Sequence, residues 1–183
     1  MEALQQWDEK WLLFFNLHLL GKDTNFWALV TNTLFWIPLF VAVIYFIFSC
    51  FGRPKGKYIL FYLTGSVLLN VFLMHTIKFL VKRPRPFYED HLLTQLQLVS
   101  LPDNYSFYSG HASFSFLLAT FTVFLFKKYN RWTYLVFIFP LLFATSRLVV
   151  GVHYPSDILV GALIGSCIAV GVYYTRVRQL VTE

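Results

Sequence analysis

The sequence predicts an all-α protein: a polytopic transmembrane helix bundle with five or six spanning helices and an N-terminal helix lying in the membrane interface. Three observations predict it. Hydrophobic residues make up 57% of the 183 positions and charged residues only 13%, far from the balance of a soluble domain. The apolar residues fall in runs near the length that crosses a bilayer as a helix, about 20 residues. The charged residues collect between those runs, in flanking loops and in three compact polar clusters. The length fits a single domain, 1–183.

The elements follow in chain order. Residues 7–20 interleave Trp7, Trp11, Phe14, Phe15 and Leu19 with Asp8, Glu9, Lys10, Asn16 and His18. The apolar stretch 11–21 is too short to span, so an interfacial helix is expected. The polar start lacks the basic region of a cleavable signal peptide. Residues 26–50 carry no charge and read as the first span. Residues 58–77 read as the second, ending at Lys78. The run 112–126 is shorter and extends backward through Tyr108-Ser109-Gly110-His111. The run 132–146 ends at Ser146-Arg147. The run 158–175 holds Gly161-Ala162 and Gly165-Ser166, small residues that let helices pack closely in lipid. The longest connection, 87–106, carries Glu89, Asp90, His91 and Asp103 and is the expected rim or lid of a site. Cys50 and Cys167 lie in apolar runs and are expected as small buried hydrophobes.

The net charge of +6 does not call for nucleic acid, because it resides in membrane-flanking loops and in the polar clusters. Arg53, Lys55 and Lys57, then Lys127, Lys128 and Arg131, then Arg176 and Arg178 fall on one side of five spans. That side is expected to be cytoplasmic. The three polar clusters then lie on the extracytoplasmic side.

Those clusters hold the chemistry. The first runs from Lys78 to Arg85-Pro86, the second is Tyr108-Ser109-Gly110-His111, and the third is Ser146-Arg147 followed by His153 and Asp157. Charge at membrane depth is costly and marks function by default. Lys78, Arg85 and Arg147 suit neutralisation of an anion, since arginine's planar fork grips two phosphate oxygens at once. Ser109 and Gly110 add a hydroxyl and backbone donors at the start of a helix, where negative charge is favoured. His153 and Asp157 are four apart. A helix beginning near Pro155 lets the carboxylate reach back and fix the imidazole tautomer. Taken singly, each residue has a blander reading: Lys78 and Arg85 as snorkelling charges, His111 or His153 as structural histidines, Asp157 as a helix-start carboxylate. The joint pattern outweighs these. No metal-ligand spacing accompanies it, so metal-independent chemistry without a cofactor is expected.

The spacing resembles that of the type 2 phosphatidic acid phosphatase family, in particular its compact bacterial members. The family pattern is Lys-x6-Arg-Pro, then Pro-Ser-Gly-His, then Ser-Arg-x5-His-x3-Asp. Lys78, Arg85 and Pro86 fit the first part, Ser109, Gly110 and His111 the second, and Ser146, Arg147, His153 and Asp157 the third. Tyr108 stands where the pattern has proline. The resemblance covers roughly residues 26–175. It implies that His153 attacks phosphorus to form a phosphohistidine, that Asp157 orients it, and that His111 protonates the leaving oxygen. It also implies six core helices, which would make segment 11–21 a short sixth span. The implied substrate is a membrane lipid phosphate met at the bilayer: undecaprenyl diphosphate or phosphatidylglycerol phosphate first, phosphatidic acid or lipid A next. The implied location is a bacterial inner membrane.

Two alternatives stand beside this reading. One is a phosphatase of small soluble phosphoesters, which a pocket closed to lipid would favour. The other is a non-catalytic lipid-binding or transport protein, for which Tyr108 is the main argument. Lys82 and Arg83 are expected to face water or headgroups, Tyr108 to pack at the mouth of the site with Phe107, and His75 to bond within the bundle.

Overall fold

The computed structural model describes residues 2–182, and helices are the only regular secondary structure among them. Helix α1 (Glu2–Leu19) precedes α2 (Thr24–Thr31), α3 (Ile37–Val81), the short α4 (Asp90–Leu93), α5 (Gly110–Phe126), α6 (Ile138–Val149), α7 (Pro155–Val172) and α8 (Arg178–Thr182). Among the described residues, three helical stretches are long and apolar enough to cross a membrane: Thr33–Tyr88, Arg131–Val149 and Pro155–Thr182. Gly110–Phe126 is a shorter apolar helix.

Helix α3 is two arms. Gly52 sits at φ 70°, ψ 172°, a region essentially reserved for glycine, and Pro54 follows it. The chain turns back there. Phe40, Val43 and Ile44 of the first arm share a cleft with Val67, Leu63 and Leu60 of the second, so the arms run antiparallel.

The charge-free run 26–50, expected as one span, is broken at Asn32. The Asn32 side chain accepts a hydrogen bond from the Leu34 N–H at 2.9 Å, and a 3-10 turn (Thr33–Trp36) leads into α3. Asparagine offers the backbone this local alternative to helix. A hydropathy run counts apolar residues and is blind to it.

Two packing arrangements position the site. An aromatic stack ties α3 and the turn before it to α6: Trp36 and Phe139 centroids lie 4.7 Å apart, Phe40 and Phe139 5.8 Å, and Phe139 and Phe143 5.3 Å. Helices α5 and α7 meet through the small residues expected to allow it. A Cβ on Gly161 would stand 2.6 Å from the Ser109 carbonyl oxygen, and one on Gly165 would overlap the Ser113 backbone. Within lipid, such close packing replaces the hydrophobic effect as the cohesive force.

Helix α1 turns two of its polar residues, Asp8 and Asn16, inward. Asp8, Leu12 and Asn16 are buried at successive turns, while Leu4, Trp7, Trp11, Phe14 and Leu17 are exposed. Asn16 donates to the Val149 carbonyl at 2.6 Å and to the Gln97 carbonyl at 2.8 Å, and accepts from the Gln97 N–H. Asp8 contacts Ser156. The helix therefore lies across the end of the bundle where α6 hands over to α7. Cys50 and Cys167, expected as buried hydrophobes, are both exposed. Each sits on an apolar outer face, a position that hydropathy alone does not separate from the core.

Candidate functional site

All three polar clusters come together at that end of the bundle. The turn Gly151 to Tyr154 carries His153. Gly151 has φ 77°, and a Cβ there would press on Leu98 at 3.0 Å and on Asn16 at 3.3 Å, so a larger residue would push the turn off its seat. His153 is 2% exposed. Its Nδ1 lies 3.3 Å from Asp157 Oδ2 and its Nε2 3.3 Å from Arg85 Nη1. Burial drives its pKa down to about 3, against the opposing pull of the Asp157 hydrogen bond and charge. The imidazole is thus neutral near pH 7.

Asp157 stands in the first turn of α7, as its spacing from Pro155 predicts. Its carboxylate is fully buried and richly bonded. Oδ1 accepts from Arg83 Nη1 at 2.8 Å. Oδ2 accepts from the Tyr154 N–H at 3.0 Å and from the Ser106 hydroxyl. Its carbonyl accepts the Ser109 N–H at 3.1 Å, which fastens the second cluster to the third.

Two of the three expected cationic anion-binding groups are held mainly by backbone oxygens. Lys78 Nζ donates to the carbonyls of Tyr105 and Ser106. Arg85 donates to the Asn104 carbonyl and side chain and to the Val152 carbonyl at 2.7 Å. The connection 87–106 is therefore a bracket for these cations rather than a free lid. Its Leu92 and Leu96 are buried in one cluster with Leu12 and Tyr154. The third group, Arg147, donates to Thr31 Oγ1 at 2.5 Å, while its buried Nε has no hydrogen-bond partner.

The opposite wall belongs to α5 and α6. Ser109 caps α5, its Oγ accepting the Ala112 N–H at 3.4 Å, and the hydroxyl proton stays available to donate. The first amides of a helix lack intrahelical acceptors, so the Gly110 and His111 N–H groups are aimed where an anion is favoured. The His111 ring lies 4.7 Å from Phe143, one helical turn before Arg147. A cleft of about 250 Å³ opens there, lined by Thr33, Gly110, His111, Phe114 and Phe143.

Three sequence expectations are corrected. Arg83 is half-buried and turned into the protein rather than out to water or headgroups. It bridges Asp157, Ser156 (2.7 Å) and Asp8 (2.7 Å), and stacks on the Tyr154 ring at 4.0 Å. Tyr108 is fully buried and reaches the Asn70 carbonyl at 3.5 Å instead of lining the mouth. His75 is exposed rather than bonded within the bundle. Reasoning from sequence missed Asp8, Arg83, Asn104 and Ser106. The one available signal was the helical spacing of Asp8, Leu12 and Asn16, which puts two polar residues on one face.

A family model described as the PAP2 superfamily matches residues 59–180. The chain is 32% identical over 178 residues to a lipid A 4'-phosphatase of Bacteroides thetaiotaomicron, covering 90% of this chain and 75% of that one. It is 29% identical over 135 residues to an undecaprenyl-diphosphatase of Sulfolobus acidocaldarius, covering 73% of this chain and 60% of that one. Its fold matches the crystal structure of a transmembrane PAP2 type phosphatidylglycerolphosphate phosphatase from Bacillus subtilis. There the TM-score is 0.70 and the identity 22%, over 95% of this chain and 86% of the other.

Proposed function

We propose a function from one premise: this chain belongs to the PAP2 superfamily. It is an integral-membrane hydrolase of phosphoester bonds in lipid phosphates, formed by residues 1–183 as one domain. The observation that carries the mechanism is the setting of His153, with Nδ1 towards Asp157 and Nε2 towards Arg85.

In that setting Nδ1 keeps its proton on the Asp157 carboxylate, and Nε2 presents its lone pair. Phosphate oxygens are received by Lys78, Arg85, Arg147, the Ser109 hydroxyl and the α5 amides, which neutralise charge as it spreads in the transition state. Nε2 bonds to phosphorus while the phosphorus–oxygen bond to the lipid breaks. His111 delivers its proton to the departing oxygen. Neutral His111 then takes a proton from water, whose oxygen attacks the phosphohistidine. Inorganic phosphate leaves and His153 is restored.

The cleft at His111 favours a lipid over a small soluble ester, because Phe114 and Phe143 give it an apolar wall beside the cations. Polyprenyl diphosphate and phosphatidylglycerol phosphate remain substrates to test. Likeness over nine-tenths of the chain to a lipid A 4'-phosphatase puts a lipid A phosphate beside them. We take the chain to cross a bacterial inner membrane five times: twice through the arms of α3, then through α5, α6 and α7. Helix α1 lies in the outer interface, on the side of the site.

The test is phosphate release by the purified protein from a panel of these lipid phosphates in detergent, with His153→Ala alongside. We expect turnover of at least one lipid phosphate and none by the folded variant. Release by His153→Ala within a few-fold of wild type would remove its role as nucleophile.

A further inference from the structure

We infer that Asp8 is a positioning residue for this reaction: by holding Arg83 it sets the orientation and effective charge of Asp157 beside His153. The inference rests on the proposed role of His153. Asp8 lies 149 positions before Asp157, on a helix outside the three clusters, yet it is fully buried against them.

Its two oxygens are fully engaged. Oδ2 accepts from Arg83 Nη2 at 2.7 Å and from Ser156 Oγ at 2.5 Å, and Oδ1 accepts from the Ser156 N–H at 2.8 Å. Arg83 spends its other terminal nitrogen on Asp157 Oδ1 at 2.8 Å. The guanidinium therefore spans two carboxylates, one on each prong of its fork. Through the Ser156 amide, Asp8 also supplies an acceptor to the first turn of α7, the turn that carries Asp157.

Two consequences follow. Geometrically, Arg83 is fixed at both ends, so Asp157 Oδ1 is fixed and Oδ2 is left to face His153. Electrostatically, a lone arginine beside Asp157 would cancel its charge. Two carboxylates sharing one guanidinium leave the Asp8–Arg83–Asp157 cluster with a net negative charge on the Nδ1 side of the imidazole, a ring on which positive charge develops as Nε2 bonds to phosphorus. That stabilisation grows in the transition state and contributes little to substrate binding. Loss of Asp8 should lower kcat and leave KM nearly unchanged.

The experiment is a double-mutant cycle in the full-length purified protein, on the best-hydrolysed lipid phosphate of the panel. Asp8→Asn, Arg83→Gln, the pair of both, and His153→Ala are compared. We expect Asp8→Asn to lower kcat about tenfold with KM within about twofold, and to add no further loss in the Arg83→Gln background, a coupling of the usual size for neighbours. Wild-type kcat in Asp8→Asn, a rise confined to KM, or independent multiplying losses would each overturn the inference. An active His153→Ala would instead overturn the mechanism beneath it, so the two failures are distinct. If Asp8→Asn gives no folded protein, Asp8→Glu takes its place, since it keeps the charge and displaces it by one methylene. Reduced kcat at unchanged KM supports the inference there, and unchanged kcat defeats it.

Discussion

His153 turns its Nδ1 to Asp157 at 3.3 Å, inside a turn that leaves the imidazole 2% exposed. Burial outweighs the carboxylate, and the ring stays neutral until pH falls to about 3, against 6.5 for an ordinary histidine. The folded-state pKa is thus below the unfolded one. Above about pH 6.5 both states are neutral and nothing is lost. As pH falls from there towards 3, the unfolded chain binds a proton that the folded one refuses, and stability drops. The thermal midpoint in detergent should therefore fall on acidification more steeply for wild type than for His153→Asn. Equal slopes would mean that His153 ionises freely in the folded protein.

The His111 ring, packed on Phe143 beside the cleft, faces the leaving group in the proposed mechanism. Loss of a general acid costs roughly 10²–10⁴-fold, and the cost shrinks as the leaving group becomes a better one. His111→Ala should accordingly lose less on an aryl phosphate of low leaving-group pKa than on an alkyl phosphate. Equal losses across a leaving-group series would assign His111 to binding alone.

Much of this was legible in the sequence, and the reasons are specific. The spacing of Lys78 from Arg85, of Ser109 from His111 and of Arg147 from Asp157 is fixed by helix ends, so short-range pattern preserved it. Gly161 and Gly165 announced a close helix contact because only small residues allow one. What stayed hidden depends on contacts between distant segments. Asp8 meets Ser156 across almost the whole chain, and no local pattern marks that meeting. Arg83 read as a surface charge because its neighbours Lys82 and Pro84 gave no hint of a buried partner. The break at Asn32 was hidden by a run that is apolar on both sides of it. In a lipid bundle the outer faces are as apolar as the core, which is why Cys50 and Cys167 were misplaced.

The proposed chemistry draws its positive charge from Lys78, Arg85 and Arg147, so turnover should persist with excess chelator. Vanadate should inhibit, since it can adopt the five-coordinate geometry of phosphorus under attack by His153. Phosphate release is measured with chelator, with added magnesium and across a vanadate series. Complete loss in chelator that magnesium restores would overturn a mechanism built on side-chain cations.

The final prediction concerns sidedness. The Lys/Arg segments lie at the turn between the arms of α3 (53–57), just after α5 (127–131) and just after α7 (176–178), and the positive-inside rule places them in the cytoplasm. Helix α1 does not alter this, because the placement depends on the later crossings. Lys128 and Asp103 are both exposed and lie at opposite ends of α5 and its preceding loop. Lys128→Cys and Asp103→Cys can be made in a background of Cys50→Ala and Cys167→Ala, since both native thiols are exposed and would otherwise report. Intact cells are then treated with a membrane-impermeant maleimide. Position 103 should react, and position 128 should react only after the cells are broken. The reverse pattern would put His111 and His153 on the cytoplasmic face and exclude any substrate confined to the outer leaflet.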